Sequence, residues 1–192
     1  MSPLHEIRPE QDADHAAVRR LHALAFGGPA PDRVPDLVDA LRARGGTTSL
    51  VATADGAVVG HLMLSPARLD TPERLVDVLT LSPLGVHPAH QRHGLGTRLL
   101  AAALAAAGRL DCPAVFLEGS PAYYGARGFT RADTLGFRRP SLRIPAPAFQ
   151  VALLPAHRPW MTGSYVYADP FWAHDCVGLR DPDLIARIEA AG

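Results

Sequence analysis

A short glycine-rich segment has the residue types and the spacing of an anion-binding loop. Residues 91–97 read Gln-Arg-His-Gly-Leu-Gly-Thr, between an apolar run and an alanine-rich stretch, which predicts a strand, a loop and a helix start. A helix N-terminus presents amide groups without helical partners and the positive end of the helix dipole. Glycine at 94 and 96 lets a bulky anion approach that backbone, while Arg92 adds a cation and Thr97 a hydroxyl. The segment is therefore predicted to cradle a pyrophosphate.

Two widespread phosphate-binding patterns do not fit this segment. A dinucleotide-binding fingerprint needs a third glycine at position 99, where the chain has Leu99. A P-loop needs a lysine, and all 19 Lys and Arg residues of this chain are arginine. The absence of lysine also excludes a Schiff base to pyridoxal phosphate.

A second segment, residues 122–129, reads Ala-Tyr-Tyr-Gly-Ala-Arg-Gly-Phe. Together the two segments resemble the GNAT family of N-acetyltransferases, with its coenzyme A motif Gln/Arg-x-x-Gly-x-Gly/Ala and its later motif Tyr-x-x-x-Gly-Phe. The sequences of residues 81–86 and 119–124, together with the proline-rich tail, are similar to those of the uncharacterised bacterial YhbS-like branch of the family. The matched positions are Gln91, Gly94 and Gly96 in the first motif, and Tyr124, Gly128 and Phe129 in the second.

The resemblance implies an α/β fold, a mixed α+β sheet flanked by helices, and an acyl-CoA N-acyltransferase activity with acetyl-CoA as cosubstrate. The strand ending at Val86 would splay from its parallel neighbour at 114–118, with the pantetheine arm in the gap. Its apolar faces agree with this, as does Pro83, which we expect to interrupt ordinary pairing. The implied cofactor-binding residues are Leu84, Gly85, Val86, Gln91, Arg92, His93, Gly94, Leu95, Gly96, Thr97 and Tyr124.

The implied chemistry is direct attack of a small-molecule or peptide amine on the acetyl thioester. The backbone N–H of Val86 would polarise the carbonyl, and Tyr124 would protonate the leaving thiolate. Tyr124 can alternatively serve only in packing, and Tyr123 can form a wall of the substrate site. No base is evident, because the family's frequent glutamate falls at Thr80, and a water relay is the alternative. The weaker residue candidates for a base are Ser82, His61 and Asp77.

Three histidines, His87, His90 and His93, recur at every third position of the loop. No fourth ligand is apparent and Pro88 prevents helical stacking, so we interpret them as solvated and predict no metal. The two cysteines, Cys112 and Cys176, are far apart and are predicted to be thiols.

Composition narrows the functional classes. The 192 residues carry zero formal net charge and 47% are hydrophobic, which excludes wholesale disorder and argues against a nucleic-acid partner. The charged N-terminal segment lacks the apolar core of a signal peptide, and the longest apolar run, residues 99–107, is too short for a membrane span. We therefore expect a cytoplasmic protein with no membrane partner, and a homodimer is left open.

Hydrophobic periodicity and turn residues predict the elements that position these residues. Strands are expected at 4–8, 47–54, 57–67, 76–86, 114–118, 149–154 and 164–167. Helices are expected from a cap at Asp12 or Asp14 to Gly27, then at 32–44, 94–108, from Gly119 or Ser120 to 128, and at 182–190.

These elements predict one acetyltransferase-like domain over residues 1–168. Its motif-bearing core covers about 4–135 and proline-rich strands cover about 136–168, and an extension with a short helix follows at 169–192. Two other functions remain open. One is a non-catalytic acyl-CoA-binding or sensor module, and the other is transfer of a longer acyl group.

Overall fold

The computed structural model of the chain describes residues 5–190, so Leu4 of the first predicted strand lies outside the described residues. The chain forms two compact units, one comprising residues up to 65 and 81–106, the other 66–80 and the residues from 107 onward. The strands are β1 Glu6–Pro9, β2 Thr48–Ala54, β3 Ala57–Asp70, β4 Leu75–Val86, β5 Ala114–Glu118, β6 Thr130–Arg131, β7 Phe137–Arg138, β8 Phe149–Leu153 and β9 Gly163–Val166. The α-helices are α1 His15–Phe26, α2 Arg33–Arg44, α3 Leu95–Arg109, α4 Pro121–Gly125, α5 Asp169–Ala173 and α6 Pro182–Ala190.

The first unit is built on antiparallel strands. β1 pairs with β2, with Glu6 opposite Thr53, and β2 pairs with β3, with Thr48 opposite Leu64. Asp55 and Gly56 connect β2 to β3 with φ values of 49° and 80°, the conformation of the tight hairpin that this dipeptide predicts.

The two helices α1 and α2 belong to this unit and pack through the apolar faces expected from their periodicity. α1 buries Val18 and Leu21, and α2 buries Leu37 and Leu41. Asp14, one of the two predicted caps, occupies the N-cap position of α1, but its carboxylate makes no cap hydrogen bond to α1. It accepts instead from both Arg8 Nη atoms, at 2.7 and 2.9 Å, and these charge-assisted bonds occupy its oxygens.

The second unit combines parallel and antiparallel pairs. β4 runs parallel to β5, with Leu79 opposite Val115, and β5 then pairs antiparallel with β8. β8 pairs with β6, while β9 pairs with the end of β3 and, in parallel, with β7. A cluster of aromatic rings fills this core, formed by Phe116, Phe137, Phe149 and Tyr165. The mixed sheet with flanking helices confirms the predicted fold class.

Several bounds differ from the sequence prediction. β3 continues to Asp70 rather than ending at Ala67, because its end pairs with β9. The helix that carries the two tyrosines ends at Gly125 rather than at 128, and the two-residue strands β6 and β7 and the helix α5 were not predicted. Within residues 5–190, none of the helices combines the length and the apolar character that crossing a membrane requires.

Candidate functional site

The glycine-rich loop begins where β4 ends, and hydrogen bonds fasten its start. The amide of His87 donates to the carbonyl of Val59 at 2.8 Å, which holds the loop against β3. The Gln91 side chain donates back to the Val86 carbonyl at 3.0 Å, across a 3₁₀ turn at Pro88–His90. Gln91 is thus tied to the last residue of the strand, and the loop has a defined path.

Two left-handed residues then turn the chain into α3. Arg92 has a φ of 62° and Gly94 a φ of 77°, a region that is costly for a residue with a side chain. The amide of Arg98 is bonded to the Gly94 carbonyl at 3.1 Å, so the helix proper starts immediately after the loop. The amides of a first helical turn lack carbonyl partners in their own helix. Because residues 91–94 are exposed, this turn is presented to solvent.

The start of α3 is held close to β3 by a glycine. Leu95 and Leu99 are 1% and 0% exposed, so the first turns of α3 are anchored in the core of the first unit. A Cβ at Gly60 would lie 3.0 Å from Leu99 Cδ1, 3.2 Å from Ala52 Cβ and 3.4 Å from Leu95 Cδ2. Only a residue without a side chain lets the helix approach the strand this closely.

Histidine and arginine side chains surround the loop. His5 Nε2 is hydrogen-bonded to His90 Nδ1 at 3.2 Å, and Arg98 donates to the His5 carbonyl at 2.8 Å. Desolvation and then the neighbouring histidines lower the pKa of His90, so its imidazole stays neutral at pH 7. Residues 5–190 contain no group of three or more His, Cys, Asp or Glu side chains placed to hold a metal ion.

Tyr123 and Tyr124 lie in the second unit and have distinct surroundings. The ring of Tyr124 lies on the backbone of Gly119, where an added Cβ would clash with its Cε2, and it packs edge-on against Phe129. Burial raises the pKa of the Tyr124 hydroxyl, which therefore keeps its proton through the neutral range. The ring of Tyr123 instead stacks under the Arg127 guanidinium, 3.8 Å from the ring centre.

The four positions considered for a base have different environments. Thr80 is 1% exposed and its hydroxyl is hydrogen-bonded to that of Tyr165, so this position has a packing role in the second unit. Asp77 is 81% exposed and forms an ion pair with Arg68. Ser82 is half-buried beside Pro83, inside a β4 that continues to Val86. His61 is fully buried.

Sequence reasoning missed a buried polar cluster in the first unit, formed by Glu10, His22, Arg42, Ser49 and His61. Both histidines are 0% exposed. The sequence contained one signal for this cluster, because each histidine lies on an otherwise apolar face. His22 follows Val18 and Leu21 on α1, and His61 lies on β3. A polar residue in such a stripe requires a buried partner.

The comparison with known families identifies the class. The acetyltransferase (GNAT) domain family matches residues 6–132, which is more than half of the chain, and the chain belongs to this family. The predicted resemblance is thereby confirmed.

Individual relatives agree with this class. The uncharacterised N-acetyltransferase YjhQ of Escherichia coli is 30% identical over 177 residues, covering 89% of this chain and 90% of that protein. The crystal structure of YhbS from Escherichia coli in complex with CoA has a TM-score of 0.77 at 28% identity, covering 89% and 93% of the two chains. A GNAT acetyltransferase from Brucella melitensis in complex with acetyl-CoA has a TM-score of 0.70 at 29% identity, covering 88% and 98%.

Proposed function

We propose that this chain transfers the acetyl group of acetyl-CoA to an amine, which is a small molecule or the amino group of a peptide. The observation that carries the proposal is the loop at 91–94, where two left-handed residues deliver an exposed backbone into the first turn of α3. A helix start of this kind favours a pyrophosphate. Relatives crystallised with CoA and with acetyl-CoA support the same cosubstrate.

The proposed contacts follow the family motif residue by residue. The loop residues 91–97 would bind the pyrophosphate, with Arg92 supplying a positive charge, and residues 84–86 would bind the pantetheine arm through their backbone. The N–H of Val86 would polarise the thioester carbonyl as the amine attacks. The acetyl–sulfur bond breaks as the carbon–nitrogen bond forms, the nitrogen releases one proton to water, and the thiolate then needs a proton.

Tyr124 is the proposed donor of that proton. Its raised pKa guarantees a protonated phenol at neutral pH, which an acid requires. The same shift makes the phenol a weaker acid than a typical thiol, whose pKa is about 8.5. Donation to the thiolate therefore requires that the developing negative charge of the phenolate be stabilised when the cosubstrate is bound.

Binding and turnover are tested in that order. Acetyl-CoA should raise the melting temperature and bind in isothermal titration calorimetry, with NADH and ATP much weaker, because a ligand of the native state stabilises it. Release of the CoA thiol is then followed with n-butylamine, spermidine, glucosamine and a short peptide with a free N-terminus. A dinucleotide that binds as well as acetyl-CoA would refute the cosubstrate assignment. Binding without thiol release for any amine would favour the sensor function instead.

One pair of variants at the two ends of α3 tests the loop itself. Gly96→Asp places a carboxylate in the first turn of α3, beside the proposed pyrophosphate, and should abolish most acetyl-CoA binding. The loss would not reflect a weaker helix, because an acidic residue near a helix N-terminus stabilises the helix. Gly108→Asp makes the same change near the other end of the helix, where a new Cβ meets no atom within 4 Å, and should leave binding unchanged. Equal binding by the two folded variants would exclude the loop as the site.

Location and assembly are further parts of the proposal. Cys112 and Cys176 are thiols rather than a disulfide, which fits the reducing cytoplasm that we propose. A homodimer would be recognised by sedimentation at several protein concentrations. Acyl-chain length is tested in the same thiol assay with butyryl-CoA beside acetyl-CoA.

A further inference from the structure

A row of polar side chains in the first unit, of which the two histidines are fully buried, ends at the backbone of β4. Arg42 binds the Glu10 carboxylate through Nη2 at 2.5 Å and Nε at 3.2 Å. His61 Nε2 lies 2.7 Å from Ser49 Oγ and 3.8 Å from the Glu10 carboxylate. His22 Nε2 lies 2.7 Å from His61 Nδ1, and both imidazoles are 0% exposed.

The Glu10 carboxylate at one end determines which atom donates in each hydrogen bond of this row. An ionised Glu10 only accepts hydrogen bonds, and the Ser49 hydroxyl donates to it. Ser49 Oγ is then the acceptor towards His61, so His61 Nε2 carries a proton and donates to it. His61 Nδ1 is then an acceptor, which requires that His22 donate to it from Nε2. The remaining nitrogen, His22 Nδ1, therefore presents a lone pair.

This lone pair faces the position of β4 that the proposed cosubstrate site uses. A Cβ built on Gly85 would lie 2.8 Å from His22 Nδ1, so the imidazole occupies the space that a side chain would otherwise fill. Among residues 5–190, Nδ1 has no hydrogen-bond partner. A buried acceptor without a donor destabilises a fold, so its presence in a native protein requires an explanation, and a ligand that donates to it is one.

The imidazole is suited to accept a hydrogen bond but not to keep a proton. Burial, followed by the fields of His61 and Arg42, lowers the pKa of His22 to about 2 against the opposing effect of Glu10. Burial also lowers the pKa of His61, with Glu10 opposing and Arg42 and His15 assisting. His22 thus remains a neutral acceptor throughout the physiological pH range.

We propose that His22 Nδ1 accepts a hydrogen bond from the attacking nitrogen of the acceptor amine and orients it towards the acetyl group beside Gly85. The inference rests on the proposed acetyl transfer and adds the residue that recognises the N–H donor. His61 and Glu10 are positioning residues, because they fix the His22 tautomer. The half-exposed ring of Phe26 packs on His22, with ring centres 5.6 Å apart.

Nitrogen NMR of the wild-type protein with ¹⁵N-histidine tests the inference without requiring turnover. His22 should show the Nε2–H tautomer between pH 5.5 and 8.5. Its Nδ1 resonance should have the position of an unbonded nitrogen and should move upfield when n-butylamine is added to the complex with CoA. An Nδ1–H tautomer, or an Nδ1 resonance that no amine of the panel moves, overturns the inference.

Kinetics provides the second arm, with a matched control on the same helix. His22→Phe keeps a ring of similar size and should raise the KM for n-butylamine at least tenfold, about 1.4 kcal/mol, with acetyl-CoA affinity unchanged. His15→Phe, at a half-exposed position of α1, should leave both constants unchanged. An unchanged KM for the amine in a folded His22→Phe enzyme overturns the inference but not the acetyl transfer. Wild-type protein that neither binds acetyl-CoA nor releases thiol refutes the proposed function and, with it, the inference.

Discussion

The substitution Gly60→Ala tests whether the close contact between α3 and β3 positions the cofactor loop. The new methyl group would lie 3.0 Å from Leu99 Cδ1 and 3.2 Å from Ala52 Cβ. Leu99 and Ala52 are both 0% exposed, so neither can turn away into solvent. The first turns of α3 must therefore move outward by a few tenths of an ångström, about the shortfall from an ordinary carbon–carbon contact of 3.5–4.0 Å.

The magnitude follows from two opposing terms. Overpacking a core by one methyl group costs about 1–3 kcal/mol, while replacing glycine within a strand restores about 0.5–1 kcal/mol. The free energy of unfolding should fall by about 1–2 kcal/mol on balance. Since the moved segment is the helix start that would hold the pyrophosphate, acetyl-CoA affinity should fall as well.

Urea denaturation and isothermal titration calorimetry measure the two effects. Gly108→Ala is the matched control, because the same methyl group near the C-terminal end of α3 meets no atom within 4 Å. It should stabilise the protein by about 0.5–1 kcal/mol through helix propensity, with no change in binding. A Gly60→Ala protein as stable as the wild type, with full affinity for acetyl-CoA, would refute the role assigned to Gly60.

Three further predictions test the acid, the loop and the buried histidine. Tyr124→Phe should lower turnover in a thiol-release assay about 100-fold at unchanged acetyl-CoA affinity, and Tyr123→Phe should have a much smaller effect. Equal, small effects of the two substitutions would assign Tyr124 to packing. Gly94→Ala should weaken acetyl-CoA binding in calorimetry, because its φ of 77° costs an alanine about 1 kcal/mol, whereas Gly125→Ala should not. Because the folded pKa of His22 is about 2, the unfolded chain binds one more proton below its ordinary value of about 6.5. Between pH 6 and pH 4, urea titrations should then show the free energy of unfolding of the wild type falling more steeply than that of His22→Phe, by about 1.4 kcal/mol per pH unit; equal slopes would contradict the assignment.

Local signals predicted the elements whose ends are marked by the chain itself. β5 and α6 begin and end where the sequence indicated, since turn residues flank the first and Pro182 opens the second. The added length of β3 and the strands β6 and β7 depend on partners far along the chain, in β8 and β9. Periodicity within a short window contains no information on such partners.

The candidate site divides in the same way. The cofactor loop is one contiguous segment whose glycines and helix start are visible in the sequence, and α3 begins at Leu95, one residue after the predicted start. The cluster that ends at His22 joins residues from a strand end, two helices and a hairpin, separated by up to 39 residues between hydrogen-bonded side chains. Each residue of this cluster can be explained from the sequence by packing alone, and only the distances between the side chains show that they form a cluster.

The attachment of His5 to the loop limits how far the cofactor loop can be treated as a portable module. His5 contacts His90 within the loop and Arg98 just beyond it, although more than eighty residues of chain separate them. A chimera that takes residues 87–98 from a relative would therefore contain a loop without its matching contact residue at position 5. Grafts between members of the family should carry the residue at position 5 together with the loop, and loop libraries should vary the two together.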